Sequence, residues 1–399
     1  MKLAIVAREV MPEGGLTLSA FRLAAALGEA GHEATVIYDD GEPPADLAAY
    51  GRRVPFVEGP GSVSGRLAAA LEGVGAEAVL VDSGRLADLR AAAAVAPAAI
   101  HANMHDAVCP DRSRYWARAK QPCRVRAGWR CAALRPALGC SGLHRSLDPR
   151  PIAAQREILD LLRGGGLGVV CVSTDQAELY AGHGVAPERV AVLPNLGIRA
   201  TADSLREAVR QTPEGWRGAT AFFGRLSKQK GGELLAELAA RLPAAARFRI
   251  FGDGYLGRRI AATQPAEVMC GHVPQSAVTG VLMWARAVAF TSLWPEPGGI
   301  VGVDAQLMDV PVAAFDVGAP RYWPAARRFS LGDVDAMAAW LGECEAPAGA
   351  RDPEAVASAQ HGYWARIGAR GAELLEGFAA RGTFGAPAAT PAEEMILAR

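Results

Sequence analysis

Short apolar runs alternate with amphipathic stretches along most of this 399-residue chain, and no other feature constrains the fold as strongly. Continuous apolar strands suit a parallel sheet that is covered on both faces. Alternation of such strands with helices predicts a doubly wound α/β domain. In the first half of the chain, this pattern predicts a helix at 16–30 and strands at 3–7, 33–38, 78–82, 98–103, 168–172 and 190–194.

The alternation pauses over residues 198–217, which are polar and contain Pro213 and Gly215, so a linker is expected there. A second series of strands is then predicted at 220–223, 248–252, 267–270, 287–291 and 312–315. We therefore expect two Rossmann-like domains that face a central cleft, because ligands of open α/β sheets bind in loops after strands. The predicted boundaries are 1–197 for the N-terminal domain and 198–360 for the C-terminal domain.

The segment 361–399 is expected to begin with a helix at 361–381 that packs back on the N-terminal domain. Its residues after Gly382 are rich in Ala, Pro and Thr, which predicts a loose tail.

Charge and hydropathy exclude several classes of protein. The chain has 42 basic and 42 acidic residues, so its zero net charge gives no reason to expect nucleic acid as a partner. No run approaches 18 apolar residues, and the apolar run of the N-terminus is too short for a signal peptide. We therefore expect a cytoplasmic protein without a transmembrane segment.

The most informative segment runs from Ser292 to Pro320 and contains two acidic residues, Glu296 and Asp304, eight positions apart. A helix is expected to begin near Ile300, directly after a pair of glycines. Open backbone N–H groups at a helix N-terminus favour an anion such as phosphate. Carboxylates beside them could accept hydrogen bonds from sugar hydroxyls, although a lone pair of acids at this spacing would equally suit a surface helix.

Two further loops follow predicted strands. The segment Phe222–Leu235 carries Arg225 and Lys230, which could stabilise the charge of a diphosphate without a metal ion. A basic helix cap is the simpler alternative for this segment taken alone. The turn Gly252-Asp253-Gly254 lets a nucleotide approach the backbone closely, although such turns are common.

The N-terminal domain offers a Gly14-Gly15 pair after the first strand and a His105-Asp106 pair after a later one. The spacing G-x-G-x-x-G is absent from this opening, which argues against a dinucleotide-dependent dehydrogenase. His105 is preferred over His101 as a site residue, because His101 lies inside the strand pattern.

Together these segments resemble the retaining glycosyltransferases of the GT-B fold, glycosyltransferase family 4 (glycosyl transferases group 1), over nearly the whole chain. The run EPGGIVGVDA is similar to the family's Glu-x7-Glu signature, with Gly298 in place of an aromatic residue and Asp304 in place of Glu. The resemblance implies that Glu296 binds the donor sugar and that Asp304 binds the ribose. It implies catalytic roles for Glu296, His105, Arg225 and Lys230, and donor binding by Gly14, Gly15, Gly224, Gly252, Gly254, Val273, Pro297, Gly298, Gly299, Ile300 and Asp304.

The implied reaction is that of a hexosyltransferase (EC 2.4), which transfers a sugar from a UDP- or GDP-type donor to a hydroxyl with retention and without a required cofactor. Biosynthesis of natural products or of cell-surface glycans would be a suitable setting. Two alternatives remain open: a non-catalytic or divergent nucleotide-sugar-binding protein, and an enzyme that couples pseudo-sugars on the same fold.

Residues 107–147 interrupt the alternation and contain four of the seven cysteines, at positions 109, 123, 131 and 140. No C-x2-C pair occurs, so the match to known zinc modules is poor. Structural zinc, disulfides and free thiols all remain open for Cys109, Cys123, Cys131 and Cys140, with His144 as a further candidate ligand.

The same insertion is strongly basic, with interleaved aromatic residues such as Tyr115 and Trp129. It follows the His105 loop, so we expect it to overhang the acceptor side of the cleft. It could recognise an anionic acceptor or make a peripheral membrane contact, and a solvated arginine-rich excursion is the simpler alternative.

Overall fold

The computed structural model describes residues 1–11, 15–82, 84–140, 148–385 and 392–397. The chain divides into two compact units, each with its own parallel sheet. The first unit comprises Met1–Arg118, Cys123–Leu196 and Trp364–Glu393, and the second comprises Ala119–Pro122, Gly197–Tyr363 and Glu394–Arg399. Two Rossmann-like sheets confirm the predicted α/β class.

The first unit is built on a seven-stranded sheet with the order β3-β2-β1-β4-β5-β8-β9. Two short strands of the insertion, β6 and β7, form a separate two-stranded sheet. These strands are β1 Lys2–Val10, β2 Glu33–Gly41, β3 Gly51–Arg53, β4 Ala78–Val81, β5 Ala98–Ala102, β6 Tyr115–Trp116, β7 Gln121–Pro122, β8 Gly168–Cys171 and β9 Val190–Val192. The helices are α1 Gly15–Glu29, α2 Val63–Val74, α3 Leu86–Val95, α4 Arg130–Leu138, α5 Arg150–Arg163 and α6 Thr174–Gly182.

The second unit has a six-stranded sheet with the order β12-β11-β10-β13-β14-β15. Its strands are β10 Thr220–Phe223, β11 Arg249–Phe251, β12 Met269–Gly271, β13 Ala287–Phe290, β14 Val312–Phe315 and β15 Ala326–Phe329. The remaining helices are α7 Ala202–Gln211, α8 Gly232–Arg241, α9 Gly257–Ala261, α10 Gln275–Trp284, α11 Ile300–Leu307, α12 Val334–Glu343 and α13 Pro353–Arg381.

Both sheets are buried on two faces, which explains why their central strands are continuously apolar. Every residue of β4, β10, β13 and β14 is buried. Neighbouring strands within each large sheet run parallel, for example β1 with β4 and β10 with β13. Parallel neighbours require crossover helices, and these cover the apolar faces.

The predicted linker 198–217 was wrong as a description of its structure, because most of it forms helix α7. Thr201 caps this helix by accepting a hydrogen bond from the Ser204 N–H at 3.2 Å. Leu205 and Ala208 are its buried residues, and most of its other positions are polar or charged. This amphipathic helix has only a narrow apolar stripe, so the polar composition of the segment did not indicate a helix.

The C-terminal segment belongs mainly to the first unit. From Trp364 onward, α13 is part of that unit, and Phe378 stacks on Phe384 with ring centroids 4.5 Å apart. A loose tail was expected here, but a 3-10 helix, Ala392–Ile396, places a buried Glu393 against α6. Among the described residues, no helix is both long and apolar enough to cross a membrane.

Candidate active site

The second unit has its topological switch point between β10 and β13, the two central strands at which the strand order reverses. Ligands of open α/β sheets bind outside the carboxyl ends of the strands at this point. The loop after β10 carries Arg225 and Lys230, and the loop after β13 carries Glu296. Two segments that are distant in sequence therefore meet where this fold class binds its ligands.

Lys230 and Glu296 form an ion pair across the switch point, with Nζ 2.5 Å from Oε2. The same carboxylate oxygen accepts hydrogen bonds from the Ser292 hydroxyl at 3.1 Å and from the Trp294 indole N–H at 2.8 Å. Glu296 is only 7% exposed. Three donors hold this carboxylate in one orientation. They also stabilise its charge, since a buried charge is costly unless it is paired and hydrogen-bonded.

The two loops are joined through their backbones. The Thr291 hydroxyl donates to the Lys230 carbonyl at 2.9 Å, and the Leu293 N–H donates to the Gln229 carbonyl at 2.8 Å. Gly231 has φ +72°, and a Cβ there would lie 2.0 Å from the Thr291 carbonyl oxygen. Only glycine allows the β10 loop to approach β13 this closely, so Gly231 fixes the position of Lys230.

Helix α11 begins at Ile300, as predicted, and its start is shaped by a buried tryptophan. Gly299 has φ +70°, and a Cβ there would meet the Trp323 ring at 2.7 Å. A Cβ on Gly302 would lie 2.0 Å from the same ring. These two glycines therefore admit Trp323 against the helix, a constraint that the sequence motif did not indicate. Pro297 and Gly298 are buried just before this helix.

Arg225 is exposed and follows β10 on the loop that also carries Lys230. Among the residues that the structure describes, none makes a side-chain hydrogen bond or ion pair with its guanidinium. Lys230 is more enclosed, since its ammonium lies 5.5 Å from the Trp294 ring centroid and 5.9 Å from that of Phe290. The Lys230 ammonium is therefore fixed, whereas the Arg225 guanidinium is available to bind an anion.

The glycine-rich loops after β10 and β11 interlock through their backbones. A Cβ on Gly252 would lie 1.9 Å from the Gly224 carbonyl oxygen, and one on Gly254 would lie 2.7 Å from the Leu226 carbonyl oxygen. Close packing between these two loops is therefore one physical reason for the glycines at 252 and 254. Val273, the other residue predicted in this region, is half-buried two residues after β12.

Asp304 lies within α11 and is 2% exposed. Its Oδ1 accepts a hydrogen bond from the Ile198 backbone N–H at 2.6 Å. A Cβ on Gly197 would lie 2.1 Å from the same oxygen. In this structure one carboxylate oxygen of Asp304 is thus bound to the backbone, at the point where the second unit begins.

In the first unit, His105 is 1% exposed and follows β5. Its neighbour Asp106 pairs with Arg112, with 3.1 Å between the guanidinium Nε and Oδ2. A Cβ on Gly84 would lie 2.3 Å from the Asp106 Cβ, so the loops after β4 and β5 also pack closely. Gly15 is the first residue of α1, whereas Gly14 lies outside the described residues.

A buried polar network that the sequence did not reveal lies at the ends of β4 and β5. The Asn103 amide donates to Asp82 at 2.6 Å and accepts from the Ser19 hydroxyl at 3.0 Å. His101 Nδ1 lies 3.3 Å from the Asp82 carboxylate. Burial raises the pKa of Asp82, while the hydrogen bonds from His101 and Asn103 oppose that shift.

The four cysteines of the insertion line one small cavity, together with Asp111, Arg114 and Arg135. Burial raises the pKa of Cys109 to about 11, and burial together with nearby negative groups raises the pKa of Cys140 to about 12. In the described part of the chain, no group of three or more His, Cys, Asp or Glu side chains is arranged to hold a metal ion as it stands. His144 lies outside the described residues.

Several arginines of the insertion form hydrogen bonds with other residues of the insertion. Arg135 is buried and donates to both oxygens of Asp111, at 2.9 and 3.1 Å. Arg114 is buried and donates to the Cys123 carbonyl at 2.6 Å. The insertion is attached to the unit by the Ala127 N–H, which donates to His183 Nε2 at 3.0 Å. Three exposed arginines of the insertion have no such partner among the described residues: Arg124, Arg126 and Arg130.

Comparison with known proteins agrees with this architecture. Residues 218–344 match a family model described as glycosyl transferases group 1, a match that includes both the Lys230 and the Glu296 loops. No curated protein sequence matches the chain at a significant level.

Solved structures resemble nearly the whole chain. HepE (Alr3699) of Anabaena, solved in complex with UDP-glucose, is 17% identical with a TM-score of 0.67, and the match covers 94% of this chain and 99% of HepE. A glycosyltransferase of Rickettsia africae is 13% identical with a TM-score of 0.62, covering 95% and 98%. AviGT4, a glycosyltransferase involved in avilamycin A biosynthesis, is 17% identical with a TM-score of 0.56, covering 96% and 99%.

At these identities, the solved structures establish the fold, and the family model establishes the class of the domain that carries the ion pair. The chain therefore has the fold of these GT-B glycosyltransferases, and its residues 218–344 match the glycosyl transferases group 1.

Proposed function

We propose that this protein is a retaining glycosyltransferase that transfers a sugar from a UDP- or GDP-type donor to a hydroxyl group of its acceptor. The observation that carries the proposal is the Lys230–Glu296 pair at the switch point of the group 1 domain. It combines a fixed cation for a diphosphate with a fixed carboxylate for sugar hydroxyls. The exposed Arg225, on the same loop as Lys230, adds a second cation.

The chemical demand is to stabilise the diphosphate as the glycosidic bond breaks. Cations that are already in position stabilise developing charge without reorganisation, and in a partly buried site they act more strongly than in water. Lys230 is held by Glu296 and by two aromatic rings, so we assign it to the leaving diphosphate. Arg225 would close on the donor, because its planar guanidinium can bind two phosphate oxygens at once.

Glu296 is assigned to the donor sugar as a hydrogen-bond acceptor. Lys230, Ser292 and Trp294 all donate to Oε2, and this stabilises the ionised carboxylate and fixes its direction. The proposed reaction has no protein nucleophile. The acceptor hydroxyl attacks on the face that the diphosphate leaves, and the leaving phosphate takes its proton.

The remaining donor contacts are proposed from backbone groups of the same unit. Gly299 and Ile300 lie at the N-terminus of α11, where unpaired N–H groups favour the diphosphate. The loops that contain Gly224, Gly252 and Val273 would face the nucleoside. Asp304 is the least supported ribose ligand, because its Oδ1 is bound to Ile198.

In the first unit, His105 is proposed as the residue that acts on the reacting sugar, with Gly14 and Gly15 as backbone contacts of the donor. His105 is buried in the loop after β5, which suits a group that must work in a water-poor site. The exposed Arg124, Arg126 and Arg130 are proposed to bind an anionic acceptor.

The solved complexes support a uridine donor. HepE was crystallised with UDP and glucose and with UDP-glucose, and TarM of S. aureus with UDP and α-GlcNAc-glycerol. AviGT4 acts in avilamycin A biosynthesis and WaaG in lipopolysaccharide biosynthesis, which supports a natural product or a cell-surface glycan as the acceptor.

Donor binding can be tested by titrating UDP, GDP, ADP and their sugar conjugates while the melting temperature is measured. A ligand that binds only the native state stabilises it by about 2.7 kcal/mol at 100 times its Kd. We expect one nucleotide class to raise the melting temperature of the wild type and to have much less effect on Lys230→Met. Equal shifts for wild type and Lys230→Met would contradict the assignment of Lys230 to the diphosphate.

A non-catalytic nucleotide-sugar-binding protein would give the same binding result. Turnover separates the two functions, since only an enzyme releases free nucleotide from the sugar donor. An enzyme that couples pseudo-sugars would be recognised by the structure of its product.

A further inference from the structure

The insertion in the first unit brings together four cysteines that are spread over 32 residues of sequence. Cys109, Cys123, Cys131 and Cys140 all line one cavity of about 20 Å³. A cavity needs roughly 10–15 Å³ to hold one water, so this space suits a single small ion and no organic ligand. All four thiols are free in the structure.

The backbone around the cavity is folded against Cys109, and one of its N–H groups reaches the sulfur. The Arg114 N–H donates to Cys109 Sγ at 3.3 Å, and the Arg112 N–H donates to the Cys109 carbonyl at 2.9 Å. Both donors have unusual left-handed backbone, with φ +48° at Arg114 and +61° at Arg112. Such strain persists only where the surrounding structure requires it.

The other three cysteines are placed by short local elements. Cys123 follows β7, and its N–H donates to the Arg114 carbonyl at 2.6 Å. Cys131 lies in the first turn of α4, while Cys140 follows that helix and forms an isolated bridge with Trp116. The two ends of α4 and the β6–β7 segment thus surround the same cavity.

Buried positive charge lies beside this cavity. A divalent cation with four thiolates carries a net charge of −2, which a protein interior must balance. Arg114 and Arg135 are each 7% exposed and line the cavity. Arg135 is neutralised by Asp111, whereas Arg114 donates to the neutral carbonyls of Cys123 and Val125. The Arg114 charge is therefore available to a negatively charged cluster.

We propose that Cys109, Cys123, Cys131 and Cys140 bind one structural zinc ion as four thiolates. Structural zinc is four-coordinate and tetrahedral, with Zn–S distances of about 2.3 Å. The described side chains do not yet converge at that distance, so binding requires rotation about the cysteine χ1 bonds. Four thiols and one Zn²⁺ give the tetrathiolate complex and four protons, which pass to solvent.

Zinc would add a crosslink to an insertion whose described part has little regular secondary structure. In residues 107–140, which the structure describes, its elements are two strands of two residues each and one nine-residue helix that contains Pro136. Small modules of this kind commonly depend on a metal ion or on disulfides. The role assigned to zinc is therefore to hold the insertion in shape.

The test is the metal content of the purified wild-type protein after dialysis against metal-free buffer, measured by inductively coupled plasma mass spectrometry. About one zinc per chain is expected. Cys123→Ser and Cys131→Ser should each reduce this content at least about tenfold, because three remaining thiolates bind more weakly. Cys344→Ser is the matched control, since Cys344 lies at the end of α12, and it should keep its zinc.

A second measurement does not depend on the variants folding. The wild type purified with Co²⁺ in place of Zn²⁺ should show intense sulfur-to-cobalt charge-transfer absorption, as expected for thiolate ligation. Wild type without bound metal, with four reactive thiols or two disulfides in the insertion, would overturn the proposal. Bound iron with inorganic sulfide would also overturn it. Neither measurement depends on glycosyl transfer, so failure here leaves the proposed function untouched.

Discussion

At the scale of single residues, the Glu296 carboxylate carries the most interactions in the candidate site. It is nearly buried and receives hydrogen bonds from Lys230, Ser292 and Trp294. Removal of its charge would leave the Lys230 ammonium without its partner in a half-buried position. Such a change should affect catalysis more than the fold, because the loops are joined by separate backbone hydrogen bonds.

We therefore predict that Glu296→Gln lowers kcat by about 100-fold, the usual effect of the loss of one group that stabilises the transition state. The measurement is the rate of nucleotide release from the sugar donor at saturating concentration. Glu267→Gln, the same substitution at an exposed position, is the control and should leave the rate unchanged. Equal rates for Glu296→Gln and wild type would remove Glu296 from the mechanism.

Arg225 tests the other part of the donor site. Since its guanidinium is exposed and has no partner among the described residues, its replacement should cost little stability. We predict that Arg225→Ala weakens binding of the nucleoside diphosphate by about 10- to 100-fold, the loss expected for charge-assisted hydrogen bonds. Isothermal titration calorimetry with diphosphate and monophosphate nucleotides measures the effect.

The control for Arg225→Ala is Arg258→Ala, which removes an exposed arginine of α9. Arg225→Ala should lose affinity for the diphosphate and keep that for the monophosphate, whereas Arg258→Ala should change neither. If both variants lost the same affinity, general surface charge would explain the effect and Arg225 would have no specific role.

At the scale of elements, the site depends on how closely the strand-end loops approach one another. Gly231 has a left-handed backbone and lies against the Thr291 carbonyl. An added Cβ would force the β10 loop away from β13, and Lys230 is the residue directly before Gly231. Stability and donor binding should thus change together at this position.

We predict that Gly231→Ala lowers the free energy of unfolding by about 2 kcal/mol or more, from the left-handed backbone together with the clash. Urea denaturation measures this difference. Gly349→Ala is the control, because nothing lies within 4 Å of a Cβ there and its φ is not left-handed; it should change stability by less than about 0.5 kcal/mol. A Gly231→Ala variant as stable as the control would contradict the close packing of the two loops.

Periodicity predicted the long apolar strands and the start of α11 well, because burial on both faces leaves a continuous apolar run. It missed the short edge strand β3 and the strand β15, whose exposed Arg327 and Arg328 obscure the pattern. It also missed α7, which has only a narrow buried stripe. Elements with little buried surface leave a weak signal in sequence.

The candidate site was predictable only in part. The spacing of Glu296 and the paired cations Arg225 and Lys230 are local, so motifs report them. Its supporting contacts are not local: Trp323 is set against Gly299 and Gly302, and Asp304 is bound to Ile198. The spacing of residues within a motif does not encode such contacts with residues outside the motif.

At the scale of the whole molecule, the segment Trp364–Glu393 near the end of the chain belongs to the first unit. Glu393 accepts hydrogen bonds from the Thr174 N–H at 2.7 Å and from its hydroxyl at 2.6 Å. Thr174 opens α6, and the first N–H groups of a helix have no partner within it. A carboxylate there also interacts favourably with the helix dipole. The terminal segment therefore completes α6.

We predict that Glu393→Ala destabilises the protein by about 1–3 kcal/mol, because it leaves a buried donor unsatisfied. Chemical denaturation of the full chain measures the loss. Glu394→Ala removes the neighbouring exposed carboxylate and should change stability by less than about 0.5 kcal/mol. Indistinguishable stabilities of the two variants would mean that the terminal segment does not stabilise α6.

Donor turnover distinguishes a glycosyltransferase from a protein that only binds the nucleotide sugar. Purified wild type is incubated with UDP-glucose, GDP-sugar and ADP-sugar donors, and free nucleoside diphosphate is measured with and without candidate acceptors, beside Glu296→Ala. We predict release from a UDP or GDP donor, faster with acceptor, with the anomeric configuration retained in the product and a rate at least about 100-fold lower in Glu296→Ala. Tight donor binding with no release above that of Glu296→Ala would contradict the account and favour a non-catalytic nucleotide-sugar-binding protein.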